Sequence, residues 1–407
     1  MDDRTINPEF AFDPMDTSRT KDWELMGRIR QAGPVIRPAE GIVFTSRYGE
    51  TAKTFRDARN FSSVGDMRAP GVVVPIEESF LGEMDPPLHP KIRRILRKGF
   101  TPAAAAADEP WARVNVSRRL DALVAAGGGD LMKTVAIPLP GSIAAHALGV
   151  PDELHDQVMD WCNELLHSSW PATGRTELGE GIEQCFPDFA ACLDGLIRER
   201  EEAGPDAPAD LLSTMVFSAD SDGWRIPTQM VRTQSVNILA GSLSASYMLG
   251  NLMYRFIVDE DGFTNVLRSD RSKVPPAVEE SLRLEAPVTF LTRTAKHDGA
   301  IGGCPVDAGE HVVLGIASGN QDERVYPDAG EFRLDRDGSP EHLAFGAGPH
   351  LCLGNHLTRM VGKVVLDEML DRFAPGRLVL AEGYRWVCVD HIQEYGPETL
   401  DVVIQAC

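Results

Sequence analysis

The chain has 407 residues, 43% hydrophobic and 7% aromatic, enough for a sizeable globular core. Its net charge of −21 argues against nucleic acid and an anionic membrane surface as partners. The seven cysteines show no paired spacing and read as reduced thiols, and the polar, acidic start MDDRTINPEF is neither a signal peptide nor a membrane anchor, so a cytoplasmic protein is expected.

Residues 1–20 carry Pro8, Pro14 and several acids and are expected to wrap the surface with little regular structure. Lys21–Gln31 reads as a short amphipathic helix. Val35–Arg37 and Ile42–Thr45 read as strands across a turn at Ala39–Gly41, and Tyr48–Asp57 as helix. Residues 62–83 mix Gly65, Pro70, Gly71, Pro75 and Gly82 with Val72, Val73, Val74 and Ile76, the pattern of an apolar cover loop or a substrate lid. Asp85-Pro86-Pro87-Leu88-His89 opens a basic helix, Pro90–Phe100. Its His89 and Arg93 share one face, and Arg94, Arg97 and Lys98 add positive charge to an acidic chain. A helix from the Ala103–Ala107 run to about Leu123 is followed by a turn at Gly127–Gly129. Helices are expected at Ile143–Leu148, Glu153–Leu166 and Phe189–Glu202, with a loop at Ser168–Gly181.

Pro227–Ile257 reads as one helix long enough to span the molecule, interrupted in polarity by Asn237, Ser242, Ser244 and Asn251, which argues against a membrane span. In its middle lies Ala240-Gly241-Ser242-Leu243-Ser244, and a mid-helix glycine costs ~1 kcal/mol against alanine, so it needs a packing or functional reason. Pro276–Leu284 is a helix with Glu280 and Arg283 one turn apart. Ile301–Val313, with Gly302, Gly303 and Gly309, is hairpin-like, and Arg385–Tyr395 is a candidate to return a turn to a pocket.

The chain is organised around Phe345–Gly354, FGAGPHLCLG, followed by helical spacing from Asn355 to Phe373. Cys352 lies at the mouth of that helix, where free N–H groups and the helix dipole favour a thiolate. The surrounding Gly346, Gly348 and Gly354 admit a flat ligand without a Cβ clash. A phosphate loop fails, because Leu351 stands where G-x-G-x-x-G needs glycine and no Lys-Ser/Thr pair follows. A zinc site fails for want of a second ligand at C-x-x-C or H-x-x-x-H spacing. A single thiolate with one open face suits haem iron.

FGAGPHLCLG resembles the haem-ligand loop of the cytochrome P450 family, F-x-x-G-x-x-x-C-x-G, and Glu280-Ser281-Leu282-Arg283 resembles its E-x-x-R pair. The resemblance runs from about Pro34 to the C-terminus and is closest to soluble bacterial members. It implies one mainly α domain over residues 1–407, with small β-sheets and a long central helix over a haem. The cofactor is then haem b (iron protoporphyrin IX), with Cys352 as the metal ligand and Phe345, Gly346 and Gly354 shaping its loop. His89, Arg93, Arg293 and His350 would hold the propionates. Glu280 and Arg283 would form a buried structural pair with Arg336. Val288, Thr289, Phe290, Leu291 and Leu243 would face the substrate, as would the 62–83 loop, with residues 168–181 as a mobile entrance.

Ala240, Gly241 and Ser244 fall on the family's oxygen-activating A-G-x-[Asp/Glu]-Thr motif. The chain departs from it twice, with Leu243 in place of the acid and Ser244 in place of threonine. The implied activity is insertion of one oxygen atom of O2 into a small apolar substrate. Electrons would come from a separate ferredoxin and an NAD(P)H-dependent ferredoxin reductase, with Arg94, Arg97 and Lys98 as a docking face. A peroxide-using or rearranging haem-thiolate enzyme and a non-catalytic haem-binding module remain as alternatives.

Overall fold

In the computed structural model, which describes residues 6–14, 16, 19–65, 74–169, 181–336, 338–339 and 341–405, the chain is mainly helical with small sheets. The fold is built from two units, one of Met1–Ser62, Trp111–Ile137 and Ser244–Cys407, the other of Ser63–Pro110 and Pro138–Leu243. Residues 66–73 of the expected cover loop and 170–180 of the expected entrance loop lie outside the described residues.

The first unit contains the strands β1 (Val35–Ala39), β2 (Ile42–Thr45), β3 (Phe61–Ser62), β4 (Gly128–Asp130), β5 (Phe290–Ala295), β6 (Gly299–Ile301), β7 (Cys304–Val306), β8 (His311–Gly315), β9 (Leu378–Leu380) and β10 (Asp401–Ile404). Five of them form a sheet in the order β1-β2-β8-β5-β3, with β2 and β8 parallel and Ile42 opposite His311. Strand side chains alternate between the two faces. Val43, Leu314 and Ala295 pack with Phe55, Leu343 and Ala347 on one face, while Phe44, Val313 and Phe290 pack with Phe10, Phe12, Leu25 and Ile29 on the other. The N-terminal segment is therefore more than a wrapping. Phe10 and Phe12 are buried in the core, and Phe12 meets Phe44 edge to face at 5.7 Å.

Some helix starts follow local capping chemistry. The helix Trp23–Ala32 begins where the Asp22 carboxylate accepts from the Leu25 N–H at 2.9 Å. The basic helix runs over Leu88–Leu96, so Arg97 and Lys98 lie in the turn beyond it rather than within a helix reaching Phe100. Gly127–Gly129 is not simply a turn. Gly128 and Gly129 enter β4 and pair with Val403 and Val402 of β10. With φ at +134° and +143° they adopt a conformation open to glycine, and a Cβ on Gly128 would stand 2.3 Å from the Val402 carbonyl oxygen.

The single helix expected over Pro227–Ile257 is two, Thr228–Ala240 and Leu243–Val258. The Gly241 N–H still reaches the Asn237 carbonyl at 2.9 Å, but the Ser242 N–H turns to Leu239 at 3.2 Å, and its hydroxyl donates to the same carbonyl at 2.7 Å. A tightened turn with serine back-bonding, next to a residue lacking a side chain, breaks the ladder there.

Within the first unit the helix Val274–Leu284 packs on the helix Asn355–Arg372, approaching closely at Gly362, where a Cβ would meet Val278 at 3.1 Å. Glu280 accepts from Arg283 Nη2 and Nε, at 2.6 and 2.8 Å, and from the Arg336 Nε at 2.7 Å. Arg283 also donates to the carbonyls of Asn320 and Ala329, and Arg336 to those of Pro327 and Glu331. Glu280 and Arg283 are buried, so removing one charge strands the others. Glu280→Ala is expected to cost ~3–5 kcal/mol of stability. Urea unfolding reads the loss, and an unchanged midpoint would contradict it.

Candidate active site

The sequence Phe345–Gly354 folds into a closed loop on the helix Tyr48–Arg56. The Cys352 N–H donates to the Phe345 carbonyl at 2.9 Å, which brings the two ends of the loop together. Gly346 and Gly348 have positive φ, and a Cβ on Gly348 would lie 2.8 Å from the Arg56 Cα, so the loop seats on that helix because no side chain intervenes. The helix Asn355–Arg372 starts directly after Gly354, and the Asn355 side-chain amide donates to the Cys352 carbonyl at 2.7 Å. Cys352 is exposed, whereas the other described cysteines are buried or half-buried.

Phe345 is half-buried between two cationic or polar partners. The Arg359 guanidinium lies over its ring at 4.6 Å, and the His342 ring is 5.6 Å away on centroids. Arg359 makes a fork to Glu279, at 2.7 and 3.0 Å, and His342 Nε2 lies 3.3 Å from the same carboxylate. Burial opposes ionisation of Glu279, but the nearby His342 ring and the Arg359 fork outweigh it and hold its carboxyl down at about 2. Sequence reasoning missed Glu279, His342 and Arg359. The available signals were the doubled acid of Glu279-Glu280, a histidine three residues before Phe345, and an arginine one turn beyond Asn355.

In the same unit Arg293 is buried on β5, with its guanidinium 5.5 Å over the Phe55 ring and Nη1 donating to the Thr292 carbonyl at 2.6 Å. The residues from Val288 to Leu291 do not act as one surface. Val288 and Leu291 are half-buried against the Phe55 cluster, but Phe290 is 1% exposed and belongs to the core with Phe44 and Phe12. The Thr289 hydroxyl donates to the Gln393 carbonyl at 2.9 Å, and the Tyr395 N–H to Pro287 at 3.0 Å, so the segment near residue 393 runs beside this stretch. His350 ends a short turn of 3₁₀-helix, and Ser244 is half-buried in the first turn of Leu243–Val258.

The second unit carries His89, Arg93, Ala240, Gly241 and Leu243. His89 is buried at the start of Leu88–Leu96 and Arg93 is half-buried one turn on, while Arg94, Arg97 and Lys98 are exposed. Ala240 is buried and Gly241 exposed. In this unit the helix Thr228–Ala240 binds the loop before Leu88. Gln234 Oε1 and Asn237 Oδ1 accept from the Leu81 N–H, Gln234 Nε2 donates to the Ser79 carbonyl, and the Thr233 hydroxyl to that of Glu77.

The residues of the cysteine loop suit a metal that brings most of its own ligands. Among the described residues no three His, Cys, Asp or Glu side chains cluster to cage an ion, while one exposed thiol stands in a loop opened by glycine. This is the donor pattern for iron held by a macrocycle with one protein ligand.

Comparison with known proteins agrees. The family model for cytochrome P450 matches residues 262–375. The erythromycin C-12 hydroxylase of Saccharopolyspora erythraea is 30% identical over 374 residues, 90% of this chain and 89% of that protein. Cytochrome P450 130 of Mycobacterium tuberculosis is 34% identical over 86% of this chain and 87% of its own. The solved structure of cytochrome P450 CYP109Q5 from Chondromyces apiculatus superposes with a TM-score of 0.85 at 25% identity, covering 98% of this chain and 99% of that one. Fold and site thus define a haem-thiolate oxygenase. The chain belongs to the cytochrome P450 family, binds haem b and is a monooxygenase. Among the described residues no helix is long and apolar enough to cross a membrane.

Proposed function

We propose that Cys352 is the iron ligand of a cytoplasmic monooxygenase that hydroxylates a small apolar substrate with electrons from a ferredoxin and its NAD(P)H-dependent reductase, residues 1–407 forming one catalytic domain. The observation that carries this reading is the exposed Cys352 thiol in a glycine-turned loop, tied by its own N–H to Phe345. The haem supplies oxygen activation when bound, its thiolate ligand pushing electron density toward the oxygen. The chain's residues do the rest. Phe345, Gly346 and Gly354 shape the loop around the sulfur. Arg293 and His350, and in the other unit His89 and Arg93, are assigned to the propionates by their places in the family's motifs. Val288 and Leu291 offer aliphatic surface to substrate, Leu243 is assigned to it by its place in the family's motif, and Phe290 serves the core while Thr289 holds the Gln393 carbonyl. A relative named as a hydroxylase over nine-tenths of the chain supports hydroxylation as the reaction.

Cys352→Ala is expected to abolish the thiolate signature of the reduced, CO-bound spectrum, and its persistence would sink the assignment. The exposed Arg94, Arg97 and Lys98 form a cationic patch on a chain of net charge −21, suited to steering an acidic electron carrier. Replacing all three with alanine should slow reduction most at low salt while leaving substrate affinity unchanged. Reduction rates equal to wild type at every ionic strength would move the carrier's site elsewhere.

Proton supply falls to Ser244, working with ordered water, an amide such as Asn237 or a substrate hydroxyl, since Leu243 neither donates nor accepts. Ala240 and Gly241 are assigned to the oxygen site by their places in the family's motif. Placed proton donors are worth about 10²–10⁴-fold. Ser244→Ala should therefore consume NAD(P)H with peroxide appearing in place of product. The check is product formed per NAD(P)H, and equal coupling in variant and wild type would show that Ser244 only packs.

A further inference from the structure

Two side chains outside the motifs, His342 and Arg359, meet on one carboxylate, that of Glu279, behind the cysteine loop. The Ala344 N–H donates to His342 Nδ1 at 3.2 Å, so that nitrogen is the acceptor and the ring's proton sits on Nε2, facing Glu279 Oε2 at 3.3 Å. The other side of the carboxylate takes the Arg359 fork. The remaining Arg359 amine donates to Asn355 Oδ1 at 2.8 Å, and the Asn355 amide passes on to the Cys352 carbonyl at 2.7 Å. Arg359 and His342 also flank the Phe345 ring, and the Phe345 carbonyl accepts from the Cys352 N–H. One acid thereby reaches both ends of the loop, one through an aromatic ring and the other through an amide.

We propose that Glu279, His342 and Arg359 are positioning residues for the haem thiolate: the Glu279 carboxylate fixes Phe345 and the Cys352 carbonyl together, and so sets the orientation of the sulfur and its apolar cover. The proposal rests on Cys352 being the iron ligand. An exposed ion pair contributes little by itself. Here the guanidinium is used three ways at once, by a carboxylate, an amide and a ring face, a geometry that lysine does not reproduce. Groups that orient a ligand from behind typically change metal affinity 10–100-fold when removed.

In Glu279→Gln one oxygen becomes an NH2 group that faces a donor, either His342 Nε2–H or Arg359. The arginine loses its fork, Phe345 is released, and water gains access to the sulfur. The haem-loaded variant should still show the thiolate signature with CO, but lose it in dilute urea roughly 10-fold faster than wild type. Its haem reduction potential should move positive, because a fixed negative charge is gone and water stabilises the more negative reduced state. Arg359→Lys should behave alike. Arg271→Ala breaks a 2.7 Å pair with Asp371 at the far end of the same helix and serves as the control, expected to match wild type in both readouts. Asn355→Ala removes both hydrogen bonds that join Arg359 to the Cys352 carbonyl, leaves the Glu279 fork in place and should shift both readouts in the same direction, so the idea stays testable if Glu279→Gln does not fold. Decay and potential unchanged in Glu279→Gln, or in Asn355→Ala where the former cannot be made, would overturn the proposal. Loss of the thiolate reading itself is seen separately, in Cys352→Ala.

Discussion

The unit that holds the cysteine loop depends on two neighbouring carboxylates of the helix Val274–Leu284. Successive residues on a helix point about 100° apart, so Glu279 and Glu280 address different parts of the chain. Glu280 gathers Arg283, Arg336 and the Arg333 N–H, and through the two guanidinium groups it pins the carbonyls of Asn320, Pro327, Ala329 and Glu331. Glu279 reaches His342 and Arg359 on either side of Phe345. Burying Glu280 with two arginines is costly unless every donor finds a partner, and the ring of backbone carbonyls supplies those partners. The irregular stretch from Asn320 to Arg336 is thus held by charge and hydrogen bonds rather than by a ladder of secondary structure.

The second unit uses another device. The helix Thr228–Ala240 carries Thr233, Gln234 and Asn237, the last being one of the polar residues that argue in the sequence against a membrane span. In the structure those residues have a task. Thr233, Gln234 and Asn237 satisfy the backbone of residues 77–81, and Gln229 donates to Glu78 at 2.8 Å. The described part of the loop that precedes Leu88 is fixed by side-chain amides, which supply donors and acceptors without the desolvation penalty of charges.

Family membership and fold class were legible because a few positions carry them: Phe345, Gly348, Cys352, Gly354, Glu280 and Arg283. The strands at Val35 and Ile42 and most helices followed from composition and apolar spacing. What escaped depends on distant partners. Gly128 and Gly129 look like a turn until Val402 and Val403 are beside them. The helix break at Ser242 needs the serine's own hydroxyl bond to Leu239, which a count of apolar spacing does not register. Phe290 looked like part of a continuous apolar lining, yet the two-residue period of β5 turns it into the core, opposite to Leu291 and Arg293. The Glu279 cluster joins residues from two helices and a loop, and no local pattern announces it.

The pairing of β4 with β10 also bears on how the chain reaches this state. Asp130 and Leu400, hydrogen-bonded at 2.9 Å, are 270 residues apart, so the glycine strand is made long before its partner exists. At ~5–20 residues per second of synthesis that is a wait of roughly 15–50 s. An unpaired strand is a template for misassociation, and the usual offenders are β-branched or aromatic segments. Gly128, Gly129 and Asp130 offer neither apolar side chains nor a preference for extended backbone. A strand that is inert until Val402 and Val403 arrive suits a nascent chain that must leave one edge of a sheet open while most of its helices are still being made.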